Sequence, residues 1–232
     1  LTGVNTGTFG LHTGESFLDL LKGLDQVEGI ERYRISSIEP KLLTDDIIRF
    51  VSTSAHFAHH FHIPLQAGSD TVLRLMHRRY DTAMYRDKIE RIKTLMPECC
   101  IAADLMVGFY GEGEGEFDEA YRFVESLPLS YLHVFTYSER PNTAALRMEG
   151  KVPMQERHRR CTTMLELSEQ KKRQFYEQHL GSRATVLWEG DVKKGQMHGF
   201  TDNYIRARAP YNPSMVNTLQ QVTLEAIDLK EE

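Results

Sequence analysis

The sequence predicts an α/β region of parallel βα units, joined by a basic helix to a small all-β module. Three observations carry that prediction. Over residues 1–150, short apolar strands alternate with helical stripes at repeats of about 30 to 40 residues. Residues 154–179 then run without Gly or Pro between Pro153 and Gly181, as a long helix would. From Arg183 onward, short strand-like runs are punctuated by Gly, Asp-Asn and Pro turns over about 50 residues, the size of an OB-like barrel. The expected divisions are 1–150, 151–180 and 181–232.

Taken in order, Leu1–Val4 reads as the end of a strand entering a Gly- and Asn-rich turn. Phe17, Leu20, Leu21 and Leu24 mark a helix, and Tyr33–Ser36 a short strand. Thr44 and two acids precede Ile47, Ile48 and Val51, a capped helix start. Phe61–Leu65 is a strand with Pro64 near its end. Ser69 and Asp81 cap two successive helices, the second burying Tyr85, Ile89, Ile92 and Met96. Ile101–Phe109, broken only by Asp104, suits a strand covered on both faces. A helix through Phe117, Ala120, Phe123, Val124 and Leu127 leads to a last strand, Tyr131–Tyr137. Five such strands fit a partial, open barrel as well as a doubly wound sheet. In the last module the expected strands are Ala184–Trp188, Met197–Phe200, Tyr204–Arg208 and Val222–Leu229.

Composition is that of an ordinary globular chain, with 41% hydrophobic and 26% charged residues among 232. That excludes a disordered or fibrous protein. No apolar run approaches the ~18 residues of a membrane-spanning helix, so a cytoplasmic protein without membrane contact is expected. The net charge of −5 hides an uneven distribution: −7 over residues 1–150, +3 over 151–178 and −1 over the remainder. The three cysteines, Cys99, Cys100 and Cys161, form neither a disulfide framework nor a CxxC metal knuckle.

Ligands of parallel βα folds gather at the C-terminal ends of the strands. Those ends carry Asn5-Thr6-Gly7, Ser36–Pro40, Gln66–Asp70, Gly108–Glu112 and Tyr137–Pro141. Amides, hydroxyls and carboxylates there can bind ribose hydroxyls, and glycines admit close backbone approach. Taken singly, each is an ordinary loop or helix cap. His60 and His62 share a strand face at a metal-binding spacing, yet no carboxylate or cysteine stands beside them in sequence, so no metal site is expected. Gly111–Glu116 reads as acids near a helix N-terminus. Arg157, Arg159, Arg160, Lys171, Lys172 and Arg173 supply phosphate-neutralising charge or a solvated helix face. In the β-module, Trp188, Phe200 and Tyr204 mix with Lys193, Lys194, Arg206 and Arg208, a pattern that can hold single-stranded nucleic acid.

The strand-end segments, in this order, resemble the radical S-adenosylmethionine methylthiotransferases. The likeness runs through residues 1–7 (LTGVNTG), 34–40 (RISSIEP), 62–70 (HIPLQAGSD), 73–80 (LRLMHRRY), 104–112 (DLMVGFYGE) and 132–141 (LHVFTYSERP). The last module resembles the TRAM domain, an RNA-binding β-barrel. GVNTG, SSIEP and LHVFTYSERP resemble most the branch that modifies threonylcarbamoyladenosine beside the anticodon of certain tRNAs. The resemblance implies a partial, open, TIM-like radical S-adenosylmethionine barrel followed by a TRAM domain. Its cofactors would be S-adenosylmethionine and two [4Fe–4S] clusters. One cluster drives reductive cleavage to a deoxyadenosyl radical; the other, on an N-terminal sulfur-donor domain of the same polypeptide, supplies sulfur. Carried over by position, Asn5 and Thr6 meet the methionyl group, and Gln66 and Ser69 face the ribose. Asp104, Gly108 and Gly111 lie where the family packs adenine and methionine, and Glu39 and Arg79 support the barrel mouth. The expected RNA-binding residues are Arg159, Arg160, Lys193, Lys194, Arg206 and Arg208.

Departures are confined to loops and to one motif. Tyr110 replaces the family's Pro, Gly113 its Thr, and Asn142-Thr143-Ala144 its Gly-Thr-Pro. The cluster-binding CxxxCxxC is missing, and family order puts it upstream of Leu1. The expectation is therefore a C-terminal fragment, with no catalytic residue or cluster of its own and at most weak binding of S-adenosylmethionine. Two alternatives are a non-catalytic RNA-binding protein on a decayed barrel and the sibling enzyme that methylthiolates a ribosomal protein.

Overall fold

A parallel sheet and an antiparallel one make up the computed structural model, which describes residues 1–3 and 5–228. In the first, β1 (His60–His62), β2 (Cys100–Val107) and β3 (Tyr131–Thr136) pair in parallel in that order. Their outward side chains, including Phe61, Ile63, Ile101, Ala103, Leu105, Val107 and Leu132, enter the main core. The opposite, inner face carries His60, His62, Asp104, Met106, Tyr131, His133 and Phe135, following the alternation of a pleated strand.

Five helices pack outside. Phe17–Asp25 (α1) begins at Ser16, whose hydroxyl accepts from the Asp19 N–H while the Asp19 carboxylate accepts from the Ser16 N–H. Asp45–Thr53 (α2) starts on Thr44 and buries Ile47, Ile48 and Val51. Asp70–Leu75 (α3) and Thr82–Leu95 (α4) follow, the latter capped by Asp81 and burying Tyr85, Ile89 and Ile92. Glu114–Ser126 (α5) buries Phe117, Ala120 and Val124.

The first two expected strands are reduced to fragments. The Leu1 amino group donates to Arg34 O at 2.6 Å, and Ser36 N–H donates to Leu1 O at 3.1 Å, a parallel contact flanking Ile35. Val4 lies outside the described residues. Tyr33 bridges Phe57 and Ser37 bridges His62, so the register slips by one residue between the two bridges and no ladder forms. Pro64 interrupts the third strand by removing a donor. Leu65 and Gln66 then both donate to Asp104 O, and Gln66 reaches φ 68°, before the strand rejoins β2 opposite Leu105.

Met154–Glu177 (α6) is the long helix, about 36 Å at 1.5 Å per residue. It is part of the α/β core rather than a free connector. Met164 and Leu167 are buried in that core, and Ser168 Oγ both accepts from Leu132 N–H and donates to Leu132 O.

The antiparallel sheet contains β4 (Arg183–Lys193), β5 (Gln196–Phe200), β6 (Arg206–Pro210) and β7 (Leu219–Thr223), ordered β6-β5-β4-β7. Its last strand is not the expected Val222–Leu229. Pairing with Arg183–Leu187 fixes it three residues earlier, and Leu229 lies outside the described residues. The strand expected over Tyr204–Arg208 starts two residues later, at Arg206, leaving Tyr204 before it at φ 63° and stacked on Phe200.

This module docks on the N-terminal ends of the parallel strands. Arg32 donates to Phe200 O and Thr185 O at 3.0 and 2.9 Å. Tyr204 lies against His60, with Arg34 over its ring. Asn203 donates to Glu98 O, and His179 meets the Glu98 carboxylate at 2.7 Å. Among the described residues, no helix is long and apolar enough to cross a membrane.

Candidate cofactor and nucleic-acid sites

At the C-terminal ends of the parallel segments, polar side chains of the first two units meet. Asn5 Nδ2 donates to Glu39 Oε2 at 3.3 Å, and Glu39 N–H donates in return to Asn5 Oδ1 at 3.4 Å. Thr6 donates its hydroxyl to Ser37 O. Gln66 projects from its left-handed turn, its Oε1 accepting from Arg78 at 3.1 Å. Arg78, not Arg79, is the arginine bonded to this group. The choice follows from the turn at His77 (φ 55°), which residue types alone do not encode. Ser69 is buried at the start of α3, its hydroxyl without a hydrogen-bond partner among the described residues. An orphaned buried hydroxyl at Ser69, three residues after half-buried Gln66, together with the half-buried Asn5–Glu39 pair, fits a polar ligand with an ammonium group and ribose hydroxyls.

Gly108 and Gly111 serve the loop itself. Both have positive φ (78° and 77°). A Cβ on Gly108 would come within 2.3 Å of Arg157 Cγ, and one on Gly111 within 2.7 Å of Leu75. The Gly108 N–H donates to Glu112, whose carboxylate and carbonyl also receive the Arg160 guanidinium. Burial pushes the Glu112 carboxyl above its ordinary value, with these donors opposing the shift.

The basic stretch of α6 behaves differently from the phosphate-binding face expected of it. Arg157 is 1% exposed and holds Val152 O, Tyr137 O and both oxygens of Glu139. Arg160 is also buried and bound to Glu112, Glu114 and Glu156, so it offers no free face to a phosphate. Arg159 is exposed but forked onto Glu114 and Glu156. Lys171 is buried, donating to Glu125 O and Leu127 O. These cations tie the loops after β2 and β3, and the end of α5, to α6. The acids that neutralise the arginines lie 18 or about 45 residues away, or one helical turn away, which net charge by segment conceals.

In the β-module, Lys193 and Lys194 are exposed at the β4–β5 turn, and Arg206 and Arg208 alternate along one face of β6. Arg208 pairs with Asp228. Lys172, Tyr176, Trp188, Arg206 and Arg208 line a groove of about 600 Å³. The aromatics are less accessible than their sequence suggests: Trp188 is buried, and Tyr204 is held between Phe200 and His60. This face lies at the strands' N-terminal ends, whereas Asn5, Glu39 and Gln66 lie at the C-terminal ends.

On the inner face, Asp104, expected at the cofactor site, joins two histidines in a group that was not expected. His62 Nε2 lies 2.8 Å from Asp104 Oδ1, and the His62 and His133 ring centroids are 5.4 Å apart. Only parallel pairing brings the carboxylate and second imidazole beside His62; they are 42 and 71 residues distant in sequence.

An iron–sulfur cluster does not fit the cysteines present. Cys99 and Cys100 are buried at the N-terminal end of β2, away from the mouth, and Cys161 lies on α6. Burial raises the Cys99 thiol strongly and pushes Cys100 up to about 12, so neither is a ready thiolate.

The radical SAM superfamily model matches residues 5–124, just over half of the chain. The threonylcarbamoyladenosine tRNA methylthiotransferase of Bacillus subtilis is 35% identical over 230 residues, covering 97% of this chain and 51% of its own length. The tRNA-2-methylthio-N(6)-dimethylallyladenosine synthase of Desulfitobacterium hafniense is 31% identical over 229 residues, again covering 97% and 51%. This chain thus spans about half the length of the curated relatives it matches. Coproporphyrinogen III oxidase from Escherichia coli overlays on 75% of this chain and 37% of its own at a TM-score of 0.47 and 17% identity, too partial to bear on function. The match to residues 5–124, spanning the parallel sheet's first two strands and the Asn5, Glu39 and Gln66 mouth, establishes that the chain belongs to the radical SAM superfamily.

Proposed function

We propose that these residues form the S-adenosylmethionine-facing and tRNA-facing part of a tRNA methylthiotransferase acting on the adenine ring of N6-threonylcarbamoyladenosine beside the anticodon. The observation that carries this reading is the hydrogen-bonded Asn5–Glu39 pair joining two strand ends, with Gln66 bonded to Arg78 at the end of a third, in a chain 35% identical to a relative named for that activity. Glu39, Gln66 and Asn5 would accept hydrogen bonds from the ammonium and ribose hydroxyls of S-adenosylmethionine. When reductively cleaved, that cofactor supplies a deoxyadenosyl radical.

The cluster thiolates would come from outside these residues, since Cys99, Cys100 and Cys161 do not converge on the mouth. This chain alone is accordingly expected neither to hold a cluster nor to cleave S-adenosylmethionine. The tRNA backbone would meet Lys193, Lys194, Arg206 and Arg208, whose exposure supports an electrostatic role. The buried Arg160 holds the mouth loops instead.

A second reading, dimethylallyladenosine as substrate, is favoured by relatives of that name at 31–34% identity over up to 97% of the chain. Both readings are tested by reconstituting the protein that carries these residues under anaerobic conditions, with tRNA bearing either modified adenosine. Nucleoside mass spectrometry should detect a methylthio group in place of one hydrogen on threonylcarbamoyladenosine. Product only on dimethylallyladenosine would select the second reading, and cofactor cleavage with unmodified tRNA would reject both.

A further inference from the structure

Three neighbouring parallel strands each contribute one metal-capable side chain to a single patch of the inner face. Asp104 on β2 stands in register with His133 on β3, and His62 on β1 pairs with Ala102, placing it diagonally beside Asp104. One ligand atom from each of the three lies within 4.8 Å of the other two. His62 Nε2 and Asp104 Oδ1 are hydrogen-bonded at 2.8 Å and need to open by only about 0.5 Å to reach the roughly 3.3 Å between two ligands of a tetrahedral ion. His62 and Asp104 are 22% and 23% exposed as side chains, so the patch is accessible yet walled.

Structural pairing accounts for only two members of the group. His133 is exposed and makes ring contacts with His62 and Tyr131, but no hydrogen bond among the described residues. A polar imidazole held beside a His–Asp pair, without a hydrogen-bond partner of its own, is the third donor that a metal ion would use. Its exposure leaves the ring free to turn and close the remaining gap.

We propose that His62, Asp104 and His133 form a binding site for a divalent first-row transition ion, zinc being the reference occupant, on the inner wall of the parallel sheet. Two imidazoles and one carboxylate favour zinc, cobalt or nickel over magnesium or calcium, which prefer all-oxygen ligand sets. Three protein ligands leave at least one coordination position for water, or for a nitrogen or oxygen donor of a ligand entering the lumen. The site uses no cysteine; it shares Asp104 with the positions that the family resemblance assigns to adenine and methionine, so its test reads metal binding itself rather than methylthiolation.

The test is metal titration of the purified 232-residue chain after chelator treatment. Calorimetry with zinc chloride should give one equivalent bound with a dissociation constant of about micromolar order, and His133→Ala or Asp104→Asn should weaken it about 100-fold. His133 is exposed, so its variant should keep the parent's melting temperature. Cobalt should give visible ligand-field bands without a thiolate charge-transfer band, unchanged in Cys161→Ser. Zinc affinity unaltered in both His133→Ala and Asp104→Asn, or a cobalt–thiolate band, would overturn the assignment.

Discussion

The close approach of Gly108 to Arg157 sets a quantitative test of how the mouth loop is held. Gly108 has φ 78°, and a methyl there would sit 2.3 Å from Arg157 Cγ. Gly108→Ala should therefore cost about 1–2 kcal/mol for the left-handed backbone and about 1–3 kcal/mol for overpacking. Arg157→Ala removes the obstructing Cγ but leaves Tyr137 O and Val152 O without their donor. Each orphaned buried carbonyl costs about 1–3 kcal/mol. Glu139, a quarter exposed and still beside Lys151, rehydrates, so breaking its pair adds little. Arg157→Ala should then cost about 3 kcal/mol. In the double variant the clash is relieved, and the two costs should fall short of additivity by about 1–2 kcal/mol. Urea unfolding followed by far-ultraviolet circular dichroism and by the fluorescence of Trp188 measures all three. Simple additivity within about 0.3 kcal/mol, or an Arg157→Ala cost under about 1 kcal/mol, would refute this packing scheme.

Other groups make separate predictions. His60 is buried against Tyr204, and desolvation, reinforced by Arg34, pushes its pKa down to about 3. Its neutral form is the stable one in the fold, so its contribution is complete above pH ~6.5 and is lost as pH falls toward 3; about 2 kcal/mol should disappear by pH 5. Melting temperature between pH 8 and 5 should be visibly flatter in His60→Phe, and equal slopes would contradict the assignment. Hydrogen bonds from Arg157 hold Glu139 at about 2, and those from Arg159 and Arg160 hold Glu156 at about 2. Their support is present above the ordinary carboxylate range and is lost as pH falls toward 2. Glu139→Gln should thus reduce the acid sensitivity of the loop after β3, measured by hydrogen exchange at Tyr137–Gly150. For the proposed RNA face, Lys193→Ser with Lys194→Ser should shallow the log–log salt slope of tRNA binding by about 0.7 for each phosphate charge no longer neutralised; an unchanged slope would move the RNA interface elsewhere.

Strong local signals made most helices legible. Thr44 and Asp81 cap the helices whose apolar stripes follow them, as expected; α1 was read from its stripe alone, and Ser69 opens α3 without a cap hydrogen bond. Strands β2 and β3 were equally legible from their apolar runs. Tyr33–Ser36 was not, because its apolar pattern reports burial while a one-residue slip against Phe57–His62 decides whether a ladder forms. Asn5, Glu39 and Gln66 were read at strand ends from residue type; their partners, Glu39 for Asn5 and Arg78 for Gln66, come only from the fold. Arg157 and Arg160 could not be read so: in sequence a basic run on a Gly- and Pro-free helix reads as surface, and only the fold supplies Glu112 and Glu139. The His62–Asp104–His133 group was hidden for the same reason. Its members are local to nothing but the parallel register.

The most direct test of the mouth is product formation by the protein that carries these residues when Glu39→Gln and Gln66→Ala are introduced together. The unaltered protein is expected to methylthiolate threonylcarbamoyladenosine in tRNA. The double variant should need about 100-fold more S-adenosylmethionine for the same rate, reflecting about 1–2 kcal/mol for each hydrogen bond removed from a charged or polar ligand. Unchanged dependence on S-adenosylmethionine in the double variant, with tRNA modification intact, would contradict the placement of the cofactor at this mouth.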